Sequence, residues 1–304
     1  MRFAFMRRHE DVFRITTMCR VLSVTPQGYY AWKKRPPSTR AVANEALLVE
    51  IRASHLRSKR SYGSPRVWRE LKRRRGRLGE TRVARLMARD GLRAKRSKRY
   101  RVTTDSRNTA VVHENVLARD FTVGAPGRAW AGDITYLWTR EGWLYLAVVL
   151  DIGTRRVIGW SLRETLQTAL VTSALDMALG ARRITPGLIC HSDRGSQYGS
   201  EDVQAMIERY RLRGSMSRKG NCWDNAVVES FFASLKTELG VEARWETRAE
   251  AKSAVVAWIE GWYNRERMHS TLGYMSPVEF EQQIATQTTP DLIRGVNENG
   301  GRPL

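Results

Sequence analysis

The sequence predicts an α/β body preceded by small all-α domains, and three observations support this fold class. Residues 12–34 and 38–101 place apolar side chains at helical spacing, with Pro36 and Pro37 breaking the chain between them. Residues 130–162 hold three strand-like segments, and helical and strand patterns alternate from residue 165 onward. With 304 residues, of which 42% are hydrophobic, the chain can form about two or three domains with substantial cores.

Positive charge is concentrated in the first third of the chain. The net charge is +21; residues 1–101 hold 29 lysines and arginines against 7 acids, whereas residues 102–304 hold 23 against 24. A basic region can be merely solubilising or can bind an anionic membrane surface, but arginines set into helical patterns favour nucleic acid as the partner. We therefore expect a basic DNA-binding region followed by a nearly neutral body.

These changes in composition predict five segments. Residues 1–37 form a short helical segment, residues 38–101 a basic helix-turn-helix-like DNA-binding domain and residues 102–120 a polar linker. Residues 121–284 form the α/β body, and residues 285–304 form a polar, frayed tail. No run approaches the roughly 18 apolar residues of a transmembrane helix, and the start lacks a secretory signal. The three cysteines and five histidines show no zinc-ligand spacing and predict reduced thiols.

Two short helices are predicted near the N-terminus, over about Ile15–Leu22 and from Pro26 onward. Ser23–Thr25 would form the turn between them. This pattern resembles a helix-turn-helix, but it is common, and the alternative is a plain helical packing unit.

Three further helices are predicted in residues 38–101. Asn44 is expected to cap the first, Ser64 and Pro65 to open the second, and the third to span Glu80–Arg89. The outward face of the third helix and the segment after it carry basic residues that we predict to contact DNA phosphates: Arg82, Arg85, Arg89, Lys95, Arg96, Lys98 and Arg99. The alternative is a solvated basic face.

The body is predicted to follow the order β-β-β-α-β-α-β-α. The segments, in order, are the strand around Asp133, Trp143–Leu150, Arg156–Leu162, the helix Thr165–Leu179, the strand ending near Cys190, the helix Ser200–Tyr210, the strand Leu212–Ser217 and the helix that carries Glu229. The apolar second strand would pair antiparallel with both neighbours. Asp151 lies in the turn after it, and this role explains the residue without a catalytic one. Further on, we predict a helix over Ala249–Tyr263 and a capping box formed by Ser276 and Glu279.

Three acids lie in distinctive local contexts. Strand alternation places Asp133 on a small, polar face with Ala131 and Thr135, while the opposite face is bulky and expected to pack: Trp130, Ile134, Tyr136 and Trp138. Asp193 follows an apolar strand, where functional side chains of α/β sheets commonly lie. Glu229 lies one turn into a helix that Asp224 or Asn225 could cap.

Converging carboxylates without a supply of cysteine or histidine ligands suit Mg²⁺ or Mn²⁺. Two such ions, about 3.5–4 Å apart, can activate an attacking oxygen and stabilise a leaving one in phosphoryl transfer. Any one acid taken alone is more often a solvated loop or capping residue. The joint pattern is more informative, because 35 residues separate Asp193 from Glu229.

This pattern resembles the D, D-35-E catalytic core of retroviral integrases and related transposases. The segments HSDRGSQY (residues 191–198) and NCWDNAVVESFFASLKTEL (residues 221–239) resemble the B-frame transposases of the third insertion-sequence family, and the likeness extends over roughly residues 1–280. The resemblance implies a ribonuclease-H-like integrase core with a mixed five-stranded sheet over residues 121–284. It also implies that Asp133, Asp193 and Glu229 are catalytic and bind two Mg²⁺ or Mn²⁺ ions.

The resemblance carries further expectations about activity and partners. It implies metal-dependent cleavage at the ends of an insertion element, followed by strand transfer to target DNA, by a homo-multimer acting on paired ends in the bacterial cytoplasm, at the nucleoid. An upstream-frame helix-turn-helix protein, or a fusion to it, would be a partner. Lys236 lies seven residues after Glu229, on the same helix face, and could hold substrate phosphate; the alternative is a surface lysine.

Two other functions remain compatible with the residues. One is a nuclease of the same fold that cuts DNA without joining strands. The other is a DNA-binding regulator with an inert core, which would bind DNA without metal and tolerate Asp133→Asn.

Overall fold

A computed structural model describes residues 1–95, 111–122, 124–218, 222–240 and 245–297. The N-terminal segment contains three helices, α1 (Arg2–Arg8), α2 (Ile15–Val21) and α3 (Pro26–Lys34). The last two confirm the predicted helix pair, and Thr25 caps α3 by accepting a hydrogen bond from Gly28 N at 3.1 Å. Helix α1 was not predicted. Its Met6 packs against Tyr29 in a small core of its own with Met18 and Cys19.

The next three helices are α4 (Thr39–Arg57), α5 (Ser64–Arg75) and α6 (Glu80–Arg89). The predicted cap at Asn44 is wrong, because the helix begins five residues earlier, where Ser38 Oγ accepts a hydrogen bond from Ala41 N at 3.2 Å. Asn44 lies inside α4 and accepts a hydrogen bond from Arg82 Nε at 2.8 Å. The side chain is thus used to join α4 to α6.

This three-helix module packs against the last part of the body. The Tyr62 ring lies 5.7 Å from the Trp262 ring, and its hydroxyl accepts a hydrogen bond from Met268 N at 2.7 Å. Arg73 reaches the same region, donating to the carbonyl of Tyr274 at 2.7 Å. The apolar residues of the module therefore continue into the larger core of the body.

The body is built on a mixed five-stranded sheet. Its strands are β1 (Ala129–Thr139), β2 (Gly142–Asp151), β3 (Val157–Arg163), β4 (Ile189–Ser192) and β5 (Arg213–Met216), in the spatial order β3-β2-β1-β4-β5. Strand β2 pairs antiparallel with β1 and β3, as expected, while β4 lies parallel to β1 and β5. The predicted mixed five-stranded sheet and the predicted order of its elements along the chain are confirmed.

Helices cover both faces of the sheet. One face packs against α7 (Thr168–Ala181) and α8 (Glu201–Arg209), and the other against α9 (Ala226–Leu239) and α10 (Arg248–Val256). Helix α7 approaches the sheet so closely that a Cβ at Gly159 would lie 2.1 Å from the carbonyl oxygen of Ala174. A glycine is needed at this position to bring helix and strand together.

The chain after α10 departs from regular helix. It continues as π-helical turns over Ala257–Tyr263, forms a short 3-10 helix at Ser270–Leu272 and ends in α11 (Pro277–Asn297). The predicted capping box is confirmed, because Ser276 N donates to Glu279 Oε2 at 2.8 Å and Glu279 N to Ser276 Oγ at 3.3 Å. The expectation of a frayed tail differs from the structure, since residues 285–297 continue α11.

The two faces of β1 differ from the expected packing. Trp130 is fully buried, but Tyr136 and Trp138, on the same face, are 41% and 48% exposed. On this exposed face the rings pack against aromatic residues of β2: Trp138 lies 4.8 Å from Trp143, and Tyr136 lies 5.4 Å from Tyr145. Within the described part of the chain, no helix is long and apolar enough to cross a membrane.

Candidate active site

Asp133 lies in the middle of the central strand. It pairs with Val148 of β2 and is two residues beyond Ala131, which pairs with His191 of β4. Its Oδ1 accepts a hydrogen bond from Ile134 N at 2.7 Å. The residue is paired with β2 on one side and lies just beyond the last pair with β4 on the other, so the carboxylate is held on a rigid element.

Asp193 is the first residue after β4. Because β4 runs parallel to β1 in register with Ala131 and His191, the chain places Asp193 beside Asp133 at the same level of the sheet. Its Oδ1 accepts a hydrogen bond from Gly195 N at 2.9 Å, which orients the carboxylate at the start of the loop. Asp193 thus follows a strand of the sheet, as predicted, and it lies next to Asp133.

The two carboxylates perturb each other strongly. Burial and the negative charge of Asp193 raise the pKa of Asp133 well above its usual range, and burial raises the pKa of Asp193. Tyr198 lies next to them; burial and both carboxylates raise the pKa of its hydroxyl. A Cβ at Gly132 would lie 3.2 Å from the Tyr198 ring, so this glycine lets the tyrosine approach the strand.

Helix α9 brings two further charged residues towards this pair. Glu229 is in the first turn, and its pKa is raised by burial. Its charge also raises the pKa of Asp133, although less than that of Asp193 does. Lys236 is two turns further on; burial lowers its pKa, and the attraction of Asp133 opposes that shift. Both residues of the helix therefore act electrostatically on the same carboxylate.

The three acids are not assembled into one ligand set. Among the described residues, no group of three or more acidic, histidine or cysteine side chains is arranged to hold a metal ion. The structure thus brings Asp133 and Asp193 together and leaves Glu229 further away. The donor chemistry nevertheless fits a hard cation, because these two buried carboxylates repel each other and a divalent cation would relieve that repulsion.

The start of α9 is anchored by a residue whose role was not predicted. Asn225 occupies the N-cap position but makes no side-chain capping hydrogen bond. Asp224 is fully buried and accepts hydrogen bonds from Arg218 N at 2.9 Å, Arg119 Nε at 2.8 Å and Asn115 Nδ2 at 2.8 Å. Neither residue therefore caps the helix as expected. A buried aspartate bound by distant arginines leaves no local signal in the sequence.

Asp151 has the structural role that its position in the turn predicts. Its Oδ2 accepts a hydrogen bond from Gly127 N at 2.8 Å, and its Oδ1 accepts one from Thr154 N at 3.1 Å. The side chain is fully buried. It therefore closes the β2–β3 turn and fixes the chain that enters β1.

The basic residues predicted to contact DNA occupy different environments. Arg89 Nη2 donates to Glu45 Oε1 at 2.6 Å, and Arg82 is bonded to Asn44, so both are also used to join α6 to α4. Arg85 is exposed and donates a hydrogen bond to Thr81 O, one turn earlier in α6, at 3.3 Å. Lys95 is exposed at the end of the module. The other predicted contacts lie outside the described residues: Arg96, Lys98 and Arg99.

Three family models match parts of this chain. Residues 124–222 and 210–277 match family models described as integrase core domain, and residues 43–100 match one described as an HTH-like domain. Among solved structures, the HTLV-2 integrase catalytic core domain in complex with magnesium is 16% identical, with a TM-score of 0.42, and the likeness covers 52% of this chain and 99% of that chain. The fold and the matched families define the class as integrase-core proteins.

Full-length relatives identify the family within this class. The chain is 44% identical over 285 residues to the transposase InsF for insertion sequence IS3A of Escherichia coli K12, covering 93% of this chain and 99% of the relative. It is 42% identical over 266 residues to an uncharacterized 31 kDa protein of insertion element IS600 from Shigella sonnei, covering 88% of this chain and 98% of that protein. The chain belongs to the family of IS3 InsF transposases. It is a DNA transposase, and its family is one of polynucleotidyl transferases that act on DNA.

Proposed function

We propose that this transposase cleaves DNA at the ends of an insertion element and joins the freed 3′-hydroxyl to target DNA, with Asp133, Asp193 and Glu229 as catalytic residues. The observation that carries the proposal is a pair of buried, mutually repelling carboxylates, one on β1 and one directly after the adjacent strand β4. Both lie near a helix that bears Glu229 and Lys236. Repulsion between buried like charges lowers the stability of the folded protein, and such clusters are characteristic of functional sites.

Asp133 and Asp193 would hold a divalent cation, Mg²⁺ or Mn²⁺, and Glu229 would supply the third carboxylate of the site. We propose that the loaded site holds two such ions. When bound, divalent cations activate an attacking oxygen and stabilise a leaving one in phosphodiester chemistry.

The protein side chains would bind and orient the DNA. Lys236 lies within electrostatic reach of Asp133 and would pair with a phosphate oxygen beside the scissile bond. The anchored start of α9 would hold Glu229 at a fixed height above the sheet. In the first step a water oxygen attacks the phosphorus and the 3′-oxygen leaves as a hydroxyl. In the second, that 3′-hydroxyl loses its proton and attacks the phosphorus of a target phosphodiester, whose own 3′-oxygen leaves and takes up a proton. Catalysis would consist of positioning and charge neutralisation, without a covalent enzyme intermediate.

The basic residues of the helical module would bind the double-stranded element ends, giving an affinity that falls steeply with salt. We further propose that a homo-multimer acts on paired ends, at the nucleoid of the bacterial cytoplasm, and that an upstream-frame helix-turn-helix protein, or a fusion to it, takes part.

The test is to incubate the protein and its Asp193→Asn variant with labelled element-end DNA and Mg²⁺. We expect joined strands from the wild type and at least a thousandfold less product, on the order of 4 kcal/mol of transition-state stabilisation, from the variant. Asp176→Asn, an exposed aspartate on α7, is the matched control and should retain full activity.

Two other results would support different functions. Nicked DNA without joined strands would indicate a nuclease of the same fold. Tight binding with no products from either protein, also when the upstream-frame partner is added, would indicate a regulator with an inert core.

A further inference from the structure

A second charged cleft lies on the other side of α9 from the carboxylates. It has a volume of about 330 Å³ and is bounded by Arg66 of α5, Arg155 of the β2–β3 turn, the residues Arg267 and His269 after the π-helical turns, and Ser230 and Ser234 of α9. Ser230 and Ser234 lie one and five residues after Glu229, roughly 100° and 140° around the helix from it. The cleft is therefore separate from the site formed by Asp133, Asp193 and Glu229.

Two nitrogen atoms that line this cleft are buried without a partner. Arg155 is 9% exposed; its Nη2 donates to Phe121 O at 2.8 Å, but its Nη1 has no hydrogen-bond partner among the described residues. His269 is 8% exposed, and its Nε2 likewise lacks a partner in the part of the chain that the structure describes. The Arg155 nitrogen is a donor, and Nε2 of a neutral imidazole is a donor in one of its two tautomers. Because buried polar atoms are rarely left without a partner, these two atoms indicate a ligand that accepts hydrogen bonds.

The cleft also has an excess of positive charge. Of its arginines, Arg267 is balanced by Glu238, whose Oε1 accepts a hydrogen bond from Arg267 Nε at 2.8 Å. That carboxylate is also occupied by the indole nitrogens of Trp258 and Trp262. Burial lowers the pKa of Arg66 and of Arg155, and the nearby arginines help to lower the pKa of His269. The residues that line the cleft include no carboxylate.

Arg155 is held rigidly in this position. It sits in the β2–β3 turn with a φ of 61°, a backbone conformation that side-chain-bearing residues adopt rarely. The turn itself is closed by a hydrogen bond from Arg155 N to Asp151 O at 2.8 Å. The backbone is thus fixed by the turn, and the hydrogen bond from Nη2 to Phe121 O holds the guanidinium, which favours binding because little side-chain entropy is lost.

We propose that this cleft binds a phosphate group, with the guanidinium groups of Arg155 and Arg66 and the imidazole of His269 as its donors. A guanidinium presents parallel N–H groups that match two phosphate oxygens, and hydroxyl groups at the rim supply further donors. The phosphate belongs either to the DNA backbone or to a free phosphate ion. If the phosphate belongs to the DNA backbone, an assignment that rests on the proposed function, the cleft would hold DNA between the three-helix module and the body.

The test compares inorganic phosphate with chloride at matched ionic strength, using the full chain in EDTA so that metal-dependent chemistry plays no part. We expect phosphate to raise the Tm of the wild type. Arg66→Gln, a substitution at a half-buried position, and Arg155→Gln should each weaken phosphate binding by about tenfold, or about 1.4 kcal/mol. Arg213→Gln removes the same charge from an exposed position on β5 and is the matched control.

Fluorescence anisotropy with a labelled DNA duplex, also in EDTA, distinguishes the two sources. Loss of affinity for both phosphate and DNA in Arg66→Gln, but not in Arg213→Gln, would identify a DNA phosphate. Loss of phosphate binding alone would identify a free phosphate ion. Equal phosphate binding by all three variants and the wild type, or no effect of phosphate beyond chloride, would overturn the proposal. None of these outcomes depends on cleavage or joining, so failure of the proposed function would be seen separately.

Discussion

The two sides of helix α9 differ in the sign of the charged side chains beside them. On one side, Asp133 and Asp193 are buried together, and the pKa of each carboxyl is raised. On the other side, Arg66, Arg155 and Arg267 surround a cleft with Glu238 as the carboxylate beside them. The negative side suits a cation and the positive side suits an anion. The comparison teaches that one helix can separate two clusters of opposite charge, and we propose that a ligand stabilises each of them.

The largest effect is expected from breaking the charge balance on the positive side. Glu238→Ala should lower the free energy of unfolding by about 3 kcal/mol, because it leaves Arg267 buried without its partner and removes the acceptor of two indole N–H groups. Urea unfolding measures the change. Glu246→Ala breaks the exposed pair with Arg140 and should change stability by less than about 1 kcal/mol. Equal effects of the two substitutions would contradict the role given to Glu238.

A smaller effect is expected at the anchor of α9. Asp224→Asn should lower the free energy of unfolding at pH 7 by about 2 kcal/mol, because the carboxylate accepts charge-assisted hydrogen bonds from Arg119 and Arg218. These arginines lower the pKa of Asp224, so its contribution is complete above the pKa of the unfolded chain, near 4, and is lost as the pH falls below it.

Urea unfolding at pH 7 and pH 3 checks this prediction. The difference between wild type and variant should be largest at pH 7 and should shrink at pH 3. A difference that does not change with pH would show that the hydrogen-bond geometry, and not the ionised carboxylate, stabilises the segment.

The smallest effect, and one of opposite sign, is expected on the negative side. Asp133→Asn should raise the free energy of unfolding in EDTA at pH 8 by about 1 kcal/mol, because the repulsion from Asp193 disappears. Asp120→Asn, at an exposed aspartate paired with Arg128, should not increase stability. If Asp133→Asn lowers the free energy of unfolding instead, other interactions stabilise the Asp133 carboxylate in the free protein. That result would contradict the proposed difference between the two sides of α9.

Much of the fold was predictable because its signals are local. The apolar run of β2, the turn at Asp151 and the amphipathic pattern of Glu80–Arg89 each specify one element from neighbouring residues, and the structure confirms them. The cap of α4 was predicted wrongly because Asn44 has good capping chemistry but lies inside a longer helix, where a bond to Arg82 uses it instead.

The site was predictable only in part, because local patterns place single residues and do not specify tertiary contacts. The pairing of Asp133 with Asp193 follows from parallel strands, whereas the distance to Glu229 depends on how α9 packs. The anchor at Asp224 depends on Arg119, more than a hundred residues away in sequence. The unpaired nitrogens of Arg155 and His269 likewise depend on tertiary packing, which no local pattern in the sequence specifies.

The hydrogen bonds between Arg218 and Asp224 have a consequence for how this chain can vary during evolution. The backbone N–H and guanidinium of Arg218 bind the carboxylate of Asp224, so the two ends of the intervening segment are tied together directly in front of α9. The number of residues between these two positions could therefore change in descendants without moving Glu229 relative to the sheet. The number of residues between Asp193 and Glu229 could then change while the fold stays the same. Relatives with a different spacing should keep an arginine and an aspartate that form these hydrogen bonds.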